Sequence, residues 1–152
     1  MATNTQLNTG TIPVVVKTTT LTLSSANIMS MFTTPIQIIA AQGSHTYIIV
    51  HNVFTEYIFN TNPYADGDNL IIQYGNVGSE GSSYILFYYT NFILQNTQSA
   101  FDAENGQSGR ASFAVAGVVN QGLYITNATA PYTGGDSTAK VTVLYSVLTT
   151  TS

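Results

Sequence analysis

The chain has 152 residues, only 7% of them charged, and a formal net charge of −4; about 25% charged is usual for a soluble protein. Its three cations, Lys17, Arg110 and Lys140, are scattered, so it lacks the clustered positive charge that displaces counterions from phosphates, and nucleic acid is excluded as a partner. It has no cysteine, which excludes disulfides and thiolate metal centres.

Residues 1–12 are polar and without periodicity, and read as a flexible N-terminal arm ahead of one domain spanning residues 13–152. "PVVVKTTTLTL" favours extended structure, because Val and Thr are stiff at χ1. Pro13 then sits at a strand start or edge. In "SSANIMSMF", Ser24 or Ser25 can cap a helix, and Ile28, Met31 and Phe32 fall on one helical face. Pro35 prevents continuation. The spacing predicts one short helix near residues 25–32, either packed on a sheet or offered to a partner.

The remaining segments read as strands. "IQIIAA" is followed by "HTYIIVHNVFTEYIF", a long strand expected to bend or break near His51 and Asn52. "NLIIQYG" is the next. "SSYILFYYTNFILQN" is apolar on both alternating faces, as in a strand covered on both sides. "FDAENGQSGR" reads as a polar loop. "ASFAVAGVVNQGLYITNA" reads as one or two strands around Gly117 and Gly122, and "APYTGGDS" as a turn-rich loop. "AKVTVLYSVLTT" closes the domain with Val141, Val143, Tyr145 and Val147 on one face. The expected fold is all-β, an antiparallel β-sandwich or jelly roll with one short helix. No apolar run approaches the ~18 residues of a membrane helix, and the N-terminus has no signal-peptide pattern. A membrane is therefore not expected as a partner.

Soluble monomers protect strand edges with charge, especially Lys. This chain has few charges and many Tyr, so neighbouring copies are expected to cover its edges.

Chemistry-bearing residues are few. In "YADGDNLIIQYGN", Asp66, Asp68 and Asn69 form a dense oxygen cluster of the kind calcium prefers. The helix–loop–helix calcium pattern fails, because Ile71 and Val77 stand where Gly and Glu are required. A turn, with Gly67 at positive φ, explains the same residues and is the better reading; Asp66 and Asp68 would be the ligands of any cation. His45 and His51 lie some 20 Å apart along an extended strand, too far for a shared metal. Asp102 and Glu104 read as solvated loop carboxylates. No Walker loop, dinucleotide fingerprint or G-x-S-x-G occurs. No enzymatic activity and no cofactor are expected. Asn127-Ala128-Thr129 matches a glycosylation sequon and is read as chance.

"LTLSSANIMSMFTTPIQIIAA", "NLIIQYGN" and "GGDSTAKVTVLYSVL" together resemble a group of small structural proteins of tailed-bacteriophage virions. The resemblance runs from about Thr20 to Leu148. Where that group often has a Gly-rich, basic turn, this chain has "AAQGSHTY". The resemblance implies a virion component. The leading expectation is a capsid decoration, or cement, protein that binds across contacts of the major capsid protein as a homotrimer. The N-terminal arm, with Thr3, Asn4, Thr5, Gln6 and Leu7, would be its clamp. The alternative is a tail or fibre component that binds host-surface glycans through exposed loop aromatics, Tyr64 and Tyr132.

Overall fold

The computed structural model describes residues 14–67, 69–76, 85–89, 97–105 and 115–149. In chain order the elements are β1 (Lys17–Leu23), α1 (Ser25–Ser30), β2 (Ile36–Ile39), β3 (Thr46–Ile58), β4 (Tyr64–Asp66), β5 (Leu70–Tyr74), β6 (Ile85–Tyr89), β7 (Ala100–Asn105), α2 (Val115–Val118), β8 (Leu123–Asn127), β9 (Tyr132–Gly134) and β10 (Thr138–Thr149).

Two four-stranded antiparallel sheets form the body. Sheet A has the order β1-β10-β3-β7 and sheet B the order β2-β8-β5-β6. A two-stranded ribbon, β4 with β9, stands apart as sheet C. The pairings β1–β10, β2–β8, β3–β7 and β5–β6 nest inside one another along the chain. The expected all-β sandwich is therefore present.

Alternation builds the core. From β10, Ala139, Val141, Val143 and Tyr145 turn inward beside Val50, Val53 and Tyr57 of β3. From sheet B, Leu70, Ile72, Tyr74, Leu123 and Ile125 meet them. At roughly 1.5–3 kcal/mol for each large apolar side chain buried, this cluster dominates the favourable side of folding.

The helix forms where the sequence places it. Ser24 caps it by accepting from the Asn27 N–H at 3.2 Å, and Asn27 Oδ1 accepts from the Ser24 N–H at 3.1 Å. This reciprocal pair is a capping box with Asn in place of the usual Glu or Gln. Ile28 and Met31 are fully buried, so the helix is a plug on the sandwich. Thr126 of β8 ties down its end by donating to the Met31 carbonyl at 2.8 Å.

The anticipated irregularity near His51 is a β-bulge. Leu144 pairs with Asn52 and Tyr145 with Val50, leaving His51 as the extra residue in an otherwise continuous 13-residue strand.

Other segments depart from the sequence reading. "FDAEN" is not a loop but β7, an edge strand held by pairing with Asn52–Tyr57. "VAGV" forms the single helical turn α2 rather than a strand. "YAD" of the expected turn forms a short strand of its own, β4, which pairs with β9. The ladder of β1 starts only at Lys17, leaving Val14–Val16 outside it. All five residues of β5 are buried, so the strand covered on both faces is β5. The side-chain faces of "SSYILFYYTNFILQN" lie outside the described residues.

Candidate functional site

Of the residues singled out from the sequence, Tyr64, Asp66 and Tyr132 come together in sheet C. Tyr64 and Tyr132 face each other edge to face, ring centroids 6.0 Å apart and planes at 66°. Contrary to the expectation of exposed loop aromatics, both are buried, at 2% and 5% exposure. The reason is the β4–β9 pairing, which sets Tyr64 opposite Gly134 and Asp66 opposite Tyr132. Neither ring has the open face on which a sugar stacks. Gly67 and Gly135, both at positive φ, lie directly beneath Tyr132 and Tyr64 respectively.

Asp136 and Ser137 knit this region together. Asp136 Oδ1 accepts from the backbone N–H of Asn62 at 2.9 Å and of Thr61 at 3.0 Å, while Oδ2 accepts from Asn60 Nδ2 at 3.0 Å. The Asn62 and Thr61 N–H groups hold its carboxyl below the usual carboxylate range. Ser137 Oγ accepts from the Asn60 N–H at 3.0 Å, and its carbonyl accepts from Tyr64 OH at 2.6 Å. Burial pushes the Tyr64 phenol up to about 12 and also raises that of Tyr57. Asp136 and Ser137 escaped the sequence reading. The only local signal for them was an Asp-Ser pair after two glycines, a turn composition.

Among the described residues, the candidate cation ligand Asp66 serves the ribbon instead. Asp66 adopts positive φ, as does Gly67, which fits the turn reading. Its carboxylate accepts from the Thr133 hydroxyl. Asp68 lies outside the described residues. Among the described residues, no group of three or more His, Asp or Glu side chains gathers as a metal would require. His51 shares a 3.0 Å hydrogen bond with Ser146, and His45 sits in the preceding turn at positive φ. The sequon residue Asn127 is buried and donates to the Ala130 carbonyl, which leaves its amide inaccessible to modification.

Among the described residues, one open surface lies on sheet A. Its outward side carries Thr18, Thr20 and Thr22 from β1, Thr142 and Lys140 from β10, and Phe54, Glu56 and Ile58 from β3. Thr20 and Thr142 share a 2.9 Å hydroxyl bond, and Lys140 meets Glu56 at 3.4 Å. Both partners of that ion pair are about half exposed, so it contributes little to stability. At the β7 edge the surface becomes apolar. Phe101 is 64% exposed, stacks on Phe54 with centroids 6.2 Å apart, and stands near Ile58 at 37% exposure. A shallow groove runs there between Glu56, Tyr57, Ile58, Ser99, Ala100 and Phe101. Asp102 and Glu104, expected in a loop, lie on β7 facing the inner side of the sheet edge. The Ala103 N–H donates to Asp102 Oδ1 at 2.8 Å.

The arm residues Thr3, Asn4, Thr5, Gln6 and Leu7 lie outside the described residues. Among the described residues no helix is long and apolar enough to cross a membrane.

No family model and no curated protein matches this sequence. Among solved structures, a chain of the cyanophage Pam1 capsid asymmetric unit is similar, with 18% identity and a TM-score of 0.48. The match covers 88% of this chain and 84% of that one.

Proposed function

We propose that the chain is a non-enzymatic structural protein of a tailed-phage virion, most specifically a capsid decoration protein. It would bind across contacts of the major capsid protein and stabilise the head. The carrying observation is the nested pairing of β1–β10, β2–β8, β3–β7 and β5–β6 in two four-stranded sheets. This order supports an eight-stranded jelly roll, an architecture used by viral capsid domains, lectins and cupins. Fold alone does not choose among them. The sequence resemblance from Thr20 to Leu148 favours the virion.

The described polar groups support binding rather than catalysis. Asp136 is engaged by backbone N–H groups, Asp66 by Thr133, Glu56 by Lys140 and His51 by Ser146. They serve turns and strand faces. The glycan-binding alternative is not favoured, since Tyr64 and Tyr132 are core residues.

A decoration protein acts by mass action: it binds the assembled shell and not its dissociated subunits, and so stabilises the shell. In this reading the protein works as a homotrimer on the capsid surface, and residues 1–12 order on the lattice as a clamp. The test uses heads of the encoding phage prepared without this chain. Such heads should release DNA at a lower temperature, and adding the purified chain should restore the original temperature. Added chain that neither binds nor restores stability contradicts the reading. Deleting residues 1–12 should weaken attachment while preserving the fold.

A further inference from the structure

We propose that sheet A continues from one copy of this chain to the next. The β7 edge of one copy takes the strand that runs from Val14 into β1 of its neighbour. The inference rests on the sheet geometry and stands without the virion reading.

Four observations carry it. First, β1 and β7 are the two ends of sheet A. Every neighbouring pair in this four-stranded sheet is antiparallel, so β1 and β7 run in opposite directions. A copy placed alongside therefore adds its β1 to the β7 edge as an ordinary antiparallel pair, with no reversal of the subunit.

Second, the exposed apolar residues gather at these two edges. Val14, Val15 and Val16 are 54%, 66% and 55% exposed, just ahead of β1 and outside its ladder. Phe101 and Ile58 lie at the opposite edge and at the other end of the strands, Phe101 being level with Thr22 through Glu56 and Lys140, so the neighbour's strand pairs displaced along its own length. Of the six large apolar side chains that are exposed among the described residues, only Met29 lies elsewhere. Because the two sets occupy opposite edges, one copy cannot bring them together and two copies can.

Third, pleating matches them. Continued in extended form, β1 places Val14 and Val16 on the side of Thr18, Thr20 and Thr22. That is the outward side, which also carries Phe101, Phe54 and Ile58.

Fourth, charge is complementary. The β7 edge carries Asp102 and Glu104, while β1 begins with Lys17; all three lie on the inner side of the sheet. Two β7 edges placed together would set carboxylates against carboxylates, which is unfavourable. The contact is therefore head to tail, and a head-to-tail contact closes into a ring when its rotation permits.

The test is light scattering coupled to size exclusion on the full-length chain, its Val16→Asp and Phe101→Asp variants, and an equimolar mixture of the two variants. Both sites are solvent-exposed, and circular dichroism melts check that each variant folds. Wild type should run as a closed oligomer and each variant alone at the 16.2 kDa protomer mass. The mixture should give a species of twice that mass and nothing larger, because one intact junction remains between the unmutated strand of one variant and the unmutated edge of the other. A monomeric wild type, a Val16→Asp variant that assembles normally, or a mixture that stays monomeric would each overturn the proposal. Lys17→Glu gives a second route: it should weaken assembly, and Asp102→Lys, at the carboxylate next to Lys17 when Val16 meets Phe101, should recover it in the same chain. Failure to recover argues against the assigned edges.

Discussion

Tyr64 and Tyr132 each lie over a glycine that belongs to the other's strand end: Tyr132 covers Gly67, and Tyr64 covers Gly135. Their rings then meet edge to face, and this crossed packing closes one end of the sandwich. A Cβ at Gly67 or Gly135 would fall inside the covering ring, and both positions have positive φ. Gly67→Ala and Gly135→Ala should therefore each cost roughly 1–3 kcal/mol through overpacking and backbone strain. Urea denaturation measures it. A change within about 0.5 kcal/mol, usual for surface sites, would contradict the crossed packing.

The phenol of Tyr64 has a separate role, since it donates to the Ser137 carbonyl at 2.6 Å. Tyr64→Phe keeps the ring but leaves that buried acceptor unmatched. The expected loss is about 1–3 kcal/mol, with the ring contact to Tyr132 retained in the near-ultraviolet dichroism.

Acid stability should depend on Asp136. Its folded pKa lies below its ordinary value of 3.8, chiefly through the N–H of Asn62. A lowered pKa means the unfolded chain binds the proton more readily. The contribution is present in full above the ordinary value and is lost as pH falls through the folded one. Wild type and Asp136→Asn should thus differ in melting temperature at neutral pH and converge in strong acid. A constant difference across that range would contradict the assignment.

Alkali should act with the opposite sign. Burial pushes Tyr64 and Tyr74 up to about 12 from 10.0. The folded chain holds these protons more tightly, so their contribution is full below the ordinary value and lost as pH rises from there towards about 12. Phenolate absorbance should report a late group of tyrosines that titrates together with unfolding.

What the sequence made legible was local. The helix was readable because cap, apolar spacing and proline stop lie within a dozen residues. β10 was readable from strict alternation, and the His51 bulge from two polar residues in an apolar strand. β7 was not readable, because "FDAEN" is polar and becomes a strand only by pairing with β3, a long-range contact. α2 was missed because a short apolar run does not distinguish helix from strand. Tyr64 and Tyr132 looked exposed because each sits among Pro, Gly and Asp. Their burial follows from a strand pairing between distant parts of the chain. Asp68 and the arm residues expected to act as a clamp lie outside the described residues.

The most direct test of the central claim is quantitative mass spectrometry of gradient-purified particles of the encoding phage, before and after removal of tails. The account predicts that this chain stays with the heads, at a copy number comparable with that of the major capsid protein. Its absence from particles, or its departure with the tails, would contradict a decoration role.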